Sequence, residues 1–385
     1  MSIHKKHMSG AEIAAVATII AQMCLSNALC EDTTTFKALT CQVEYIDYVT
    51  VALSDALYVS EDEMWYGGRL TEGSYLFTTD DTGKILYQTE IVGIPGLQDP
   101  TIQCMTKSQD KLYLGLFDAG IQAGAVAVLS NGAFSFYQLP EGEKVSLDSM
   151  SACDQGISFL SISYGEGFSD IYFSRYENEE LVLRVHIGTT THVNSLLDTG
   201  ICYSNGSKHY MIQYGRIAGR LQRDSYLLCL NNEGVVEWKI PLPNKTYINR
   251  ITACQDHVYL SGLSGNLNEY DELVDHKALL LCYSQDGSKQ WEYSREEFSE
   301  FHLEAVNERG VYCSTNSYPS GNYSLIQLSS AGECLNMVYL PESSCLYVKG
   351  LWQEENGSIV LLGSLTRPTK EGDLPFILKT SLSRK

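Results

Sequence analysis

Two segments that read as long loops carry charged and aromatic side chains. YGRIAGRLQRDS carries Arg216, Arg220 and Arg223, and GNLNEYDELVDH carries Glu269, Tyr270, Asp271, Glu272 and Asp275. Arg and aromatic side chains are the types that most often carry interface energy. A basic segment beside an acidic, aromatic one could grip a peptide or an anionic small molecule. The alternative is that the two segments only neutralise each other as surface ion pairs, which are common and weak. Arg216, Arg220, Arg223, Tyr270 and Asp271 are therefore the candidate binding residues.

Other chemistry has less to stand on. His186 and His192 lie in HIGTTTH with no acid or nucleophile pattern around them. The acidic runs Glu61-Asp62-Glu63 and Asp80-Asp81 lack the alternating spacing and glycine of a calcium loop. No C-x-x-C or Cys/His ligand set occurs among the 12 cysteines, so no zinc site is expected. The sequence offers no catalytic residue, no metal site and no cofactor.

The elements that would position these residues form a repeat. YLLCLNNEGVVEWKI from Tyr226 aligns with LLLCYSQDGSKQWEY from Leu279, and with segments beginning at Tyr75, Val126 and Ser324. Each is an alternating apolar strand, a turn ending in Gly and a second alternating strand. The glycines are Gly83, Gly132, Gly234, Gly287 and Gly332, which supply the positive φ of a tight hairpin. Four residues further on stand Tyr87, Phe136, Trp238 and Trp291, with Leu183 and Asn336 at the same place in two other repeats. Cys229 and Cys282 share a position held by Thr78 in the first repeat, which reads as packing rather than bridging.

A second hairpin precedes each of these, giving seven units that start near Leu57, Met105, Met150, Ile201, Ile251, Leu303 and Gly350. A spacing of roughly 45–55 residues is the period of a four-stranded propeller blade. The expectation is an all-β, seven-bladed β-propeller spanning residues 29–385. The seventh unit ends after its third strand, and Phe36 to Asp47 (FKALTCQVEYID) is a strand without a partner. That segment is expected to close the ring in the last blade, pairing with the strand Phe376 to Leu382. Connections between second and third strands, and between blades, are the longer ones and emerge on one face, where function concentrates.

NNEGVVEW and SQDGSKQW resemble the quinoprotein-like and outer-membrane-assembly-type β-propeller repeats, over Leu57 to Lys385. The resemblance implies an extracytoplasmic propeller that serves as a scaffold or binding module. Family members that bind pyrroloquinoline quinone carry adjacent cysteines. This chain has none, so the cofactor is not implied.

The formal net charge of −20 argues against nucleic acid as a partner. A protein, a peptide or a small polar ligand fits better, and the chain is read as a monomer. Lys5 and Lys6, the apolar run Ala14 to Leu25 and Ser26-Asn27-Ala28 have the three parts of a secretory signal, which assigns residues 1–28 to a leader or hydrophobic anchor. Secretion follows from that reading, with a cytoplasmic protein as the alternative. The expected function is a non-catalytic binding or assembly module. The alternative is a propeller hydrolase or lyase with polar residues at the central channel mouth.

Overall fold

The computed structural model describes residues 38–382 apart from the segments 46–51, 61–62, 71–72, 81, 122, 141, 154, 165–168, 179, 191–201, 218–219, 244–245, 268–272, 318–322, 341–345, 354–357 and 367–372. The leader assigned to residues 1–28 therefore lies outside the described residues, as do Tyr270 and Asp271.

Every described element is a β-strand. Strand β1 (Ala38–Tyr45) comes first. Blade 1 is β2 (Ala52–Ser60), β3 (Glu63–Leu70), β4 (Gly73–Thr79) and β5 (Ile85–Ile91). Blade 2 is β6 (Thr101–Ser108), β7 (Lys111–Asp118), β8 (Ala123–Ser130) and β9 (Ala133–Gln138). Blade 3 is β10 (Glu143–Cys153), β11 (Gly156–Tyr164), β12 (Ser169–Glu177) and β13 (Glu180–Thr190). Blade 4 is β14 (Cys202–Asn205), β15 (Lys208–Ile217), β16 (Arg220–Leu230) and β17 (Val236–Pro241). Blade 5 is β18 (Thr246–Cys254), β19 (His257–Leu267), β20 (Leu273–Ser284) and β21 (Lys289–Arg295). Blade 6 is β22 (Phe298–Asn307), β23 (Gly310–Ser317), β24 (Tyr323–Leu328) and β25 (Cys334–Leu340). Strands β26 (Leu346–Gln353), β27 (Ser358–Thr366) and β28 (Asp373–Leu382) follow.

These strands pair into seven four-stranded antiparallel sheets. The chain is thus an all-β propeller of four-stranded antiparallel blades, the class the repeat implies. In six sheets the order is sequential, and the seventh runs β1-β28-β27-β26. The segment left without a partner in the sequence therefore completes it, with Ala38 opposite Leu382 and Tyr45 opposite Phe376. The innermost strands lie against one another in a cycle: β2 on β6, β6 on β10, β10 on β14, β14 on β18, β18 on β22, β22 on β26, and β26 back on β2.

Side-chain alternation explains the layering. The third strands are covered on both faces, so β8 (AGAVAVLS) is buried through its interior. The outer strand β5 alternates half-buried with exposed positions, because only one face meets the next blade. Polar staples join neighbouring blades. Asp55 Oδ2 accepts from the Met105 amide at 2.7 Å, Ser108 Oγ donates to the Cys153 carbonyl at 2.9 Å, and Ser225 Oγ donates to the Thr246 carbonyl at 3.0 Å. Cys229 and Cys282 are buried without a disulfide, and burial pushes both thiols up to about 12.

The acidic turns have structural work. Asp80 accepts from the Thr82 and Lys84 amides, both at 3.0 Å, which fixes its hairpin. Glu63 bridges blades through Lys107 at 2.6 Å. One expectation needs correction. YGRIAGRLQRDS was read as a long loop, yet alternation carries β15 and β16 through it, and only residues 218–219 separate the two strands.

Candidate functional site

The long-loop face is where second strands meet third strands and where blades connect. At blade 3 it carries a cluster of paired polar side chains. Period-2 alternation puts Asp170 and Tyr172 of β12 on one side of the sheet. The register sets Tyr172 opposite His186, Ser174 opposite Arg184, and Asp170 opposite Thr189. Glu143, at the start of β10, reaches the same place from the inner edge.

Glu143 is 1 % exposed and ion-paired through Oε2 to Arg184 Nη2 at 2.6 Å. Ser161 Oγ donates to the other carboxylate oxygen. Partial burial opposes the charge on Arg184, but Glu143 outweighs it and holds the guanidinium more firmly protonated than usual. The guanidinium carbon lies 3.5 Å from the Tyr172 ring centroid, a cation–π stack. His186 also packs against Tyr172, with ring centroids 5.4 Å apart. His186 Nε2 is 3.1 Å from Asp170 Oδ1, and Thr189 Oγ1 donates to the same oxygen at 2.5 Å. The Thr189 hydroxyl chiefly, helped by His186, holds the Asp170 carboxyl below its ordinary range. The His186 side chain is 50 % exposed, so a ligand can reach it.

The arrangement can bind a polar ligand through Arg184, Tyr172 and His186 with little reordering. A carboxylate-oriented imidazole is also a general-base geometry. The sequence singled out His186 and dismissed it. The overlooked signal was the pair of alternations, D-I-Y on one strand and R-V-H on its neighbour.

The residues expected from sequence are placed differently. Arg216 and Arg223 are cross-strand partners in the β15–β16 hairpin, and Arg220 stands opposite Ile217. Tyr270 and Asp271 lie outside the described residues, so the structure does not bring the five together.

A second constellation lies on the short-loop side, between blades 3 and 4. Ser204 Oγ is 2.7 Å from His209 Nδ1, and His209 Nε2 is 3.1 Å from Asn232 Oδ1. The amide oxygen can only accept, so Nε2 carries the proton and Nδ1 accepts from the serine hydroxyl. His209 is fully buried, and burial pulls its pKa down to about 4. An alcohol–imidazole–amide line has the components of nucleophilic catalysis, but this one is sealed from any substrate and acts in the core.

Comparison with known proteins bears on the fold. No protein-family model and no curated protein matches the chain. Among solved structures, polysaccharide lyase Uly1 is similar at 9 % identity and a TM-score of 0.54, covering 94 % of this chain and 95 % of that one. The Dos1 propeller is similar at 11 % identity and 0.50, covering 86 % and 78 %. A prolyl endopeptidase is similar at 10 % identity and 0.50, covering 95 % of this chain and 60 % of that one. At such identities the likeness describes the fold alone. Among the described residues no helix is long and apolar enough to cross a membrane.

Proposed function

We propose that the chain is a non-catalytic binding or assembly module acting outside the cytoplasm, with its partner surface on the long-loop face of a seven-bladed ring. The observation that carries the reading is the Arg184–Tyr172 stack, locked from below by buried Glu143. An Arg and an aromatic ring held rigidly together give contact energy at low ordering cost. The basic hairpin of Arg216, Arg220 and Arg223 extends the same face one blade further on. The quinoprotein-like repeat is part of this reading: the two repeats that keep Gly and then Trp dock that indole on the next blade. The leader-like residues 1–28 support export.

The test is capture of a cross-linked partner from native envelope or culture fluid. Arg184→Met with Tyr172→Ala should abolish it, with Glu143→Gln added so that no buried carboxylate is left without its partner and the protein still folds. The triple Ala change at Arg216, Arg220 and Arg223 should weaken it. Retained capture in both variants refutes the surface, and an intact Met1 on native protein refutes export.

The Asp170–His186 pair favours one second reading, a lyase that removes a proton beside a carboxyl group. Incubation with uronate polysaccharides would release an ultraviolet-absorbing unsaturated product in the parent protein and none in His186→Ala.

A further inference from the structure

The opposite, short-loop face has a cleft of about 200 Å³ between blades 1 and 2, walled by Trp65, Tyr87, Leu112 and Leu129. Its origin follows from comparing the same junction elsewhere in the ring. Between blades 4 and 5, Trp238 donates its indole N–H to the Gln285 carbonyl, and its ring lies 3.4 Å from the Cβ position of Gly287. Between blades 5 and 6, Trp291 does the same with the Ser330 carbonyl and lies 2.7 Å from the Cβ position of Gly332. An indole from one blade thus fills a socket formed by the turn of the next.

At the junction of blades 1 and 2 three things differ. The docking side chain is Tyr87, which sits edge-on to Trp65, with ring centroids 5.9 Å apart. The receiving hairpin has as many residues as the other two but closes on a two-residue turn, without the bulge and three-residue turn that they carry. Ser130 pairs directly with Ala133 around Asn131-Gly132, whereas Ser284 reaches Ser288 and Ser329 reaches Glu333. The Cβ position of Gly132 accordingly has no atom within 4 Å. The third difference is chemical. The residue opposite the docking ring is Cys229 for Trp238 and Cys282 for Trp291, but Thr78 for Tyr87. Thr78 is 5 % exposed, lines the cleft, and its hydroxyl has no hydrogen-bond partner among the described residues. A buried hydroxyl left in that state costs free energy, which a guest recovers once the Thr78 side chain rotates to turn its hydroxyl into the cleft.

We propose that this cleft is a binding site for an indole-type ring, which takes the place the chain's own Trp fills at the other two junctions and donates its N–H to Thr78 Oγ1. Cavities of about 150 Å³ hold a benzene ring, so the volume is adequate for an aromatic guest. The Glu63–Lys107 ion pair at the rim spans both blades and ties the two walls together. The ring could come from a small molecule or from a Trp side chain of a partner peptide, and the chemistry of capture is the same. The site is independent of the long-loop surface.

Saturation-transfer NMR and calorimetry on the full chain, with indole, N-acetyl-tryptophanamide and a short capped Trp peptide, test the proposal. The parent protein should bind indole. Thr78→Val, which keeps the shape and removes the hydroxyl, should weaken binding about tenfold. Tyr87→Trp should abolish it while melting at or above the parent temperature, because the chain then supplies its own ring. Equal affinity for all three probes identifies a small-molecule site, and preference for the peptide identifies a docking site. No binding of any probe overturns the proposal, as does undiminished binding in a folded Tyr87→Trp protein. Should that variant fail to fold, unchanged affinity in Thr78→Val overturns it alone.

Discussion

Trp238 reaches from blade 4 into blade 5, where its indole N–H meets the Gln285 carbonyl oxygen at 2.9 Å. The contact joins two sheets that share no backbone ladder, and Trp291 repeats it one junction on at 2.8 Å. Trp238→Phe keeps an aromatic ring but removes the donor and should cost about 1–2 kcal/mol. Gly287→Ala should cost a similar amount, since φ is 87° there and the added methyl meets the indole. Urea midpoints measure both, and unchanged midpoints would show that the docked rings do not hold the ring of blades together.

His209 sets an acid limit on stability. It is buried neutral, with a folded pKa of about 4 against 6.5 ordinarily. Between those values the unfolded chain binds a proton that the folded chain refuses, so stability falls as pH drops from about 6.5 to about 4. The full effect is on the order of 3 kcal/mol. His209→Gln should flatten that part of the pH profile while lowering stability at neutral pH, because Ser204 and Asn232 lose the imidazole that links them. A profile of unchanged slope would contradict the neutral imidazole.

Asp118 acts lower on the pH scale. It is 2 % exposed and accepts from the amides of Gln98 at 2.7 Å, Asp99 at 2.8 Å and Gly120 at 2.9 Å. Burial raises its pKa, but these donors outweigh it and hold the carboxyl below its ordinary range. Its stabilisation is therefore complete above the unfolded value and disappears as pH falls through the folded one. Asp118→Asn should cost about 1–3 kcal/mol at neutral pH and loosen the connection between blades 1 and 2. Hydrogen exchange at Gln98 and Asp99 is the readout, and unchanged protection would count against the anchor.

Removing residues 38–45 should destabilise every blade together, because it bares the edge of β28 and opens the ring. A single broad loss of the thermal transition, with aggregation, is the expected result. A deletion protein that melts like the parent would show that the seventh sheet does not need β1.

The repeat was readable because its signals are local. Gly followed four residues later by a ring fixes a hairpin and an outward face, and the unpartnered FKALTCQVEYID pointed to a closing strand. The blade 3 cluster was not readable. Asp170–Tyr172 and Arg184–His186 look like ordinary strand alternation, and only register sets them side by side. Glu143 joins them from the far side of the sheet. The Arg segment misled for the opposite reason. The segment reads as a long loop, while backbone pairing carries both strands as far as Ile217 and Arg220. The open socket at Gly132 depends on a hairpin that lacks the bulge of its counterparts, a difference with meaning only beside the filled sockets.

The pairing of Ala38 with Leu382 has a consequence for biogenesis. A ribosome delivers β1 first and its partner last, so this strand waits with an unsatisfied edge while six sheets assemble. Closure is then the event that converts a growing row of blades into a finished object, and it cannot precede synthesis of β28. Ring completion becomes a checkpoint on synthesis: a product truncated anywhere short of β28 keeps an open edge and is marked for chaperones or proteases. Relocating the chain break to a tight turn, with the present ends joined, would make the seventh sheet continuous and transfer that waiting step to another blade.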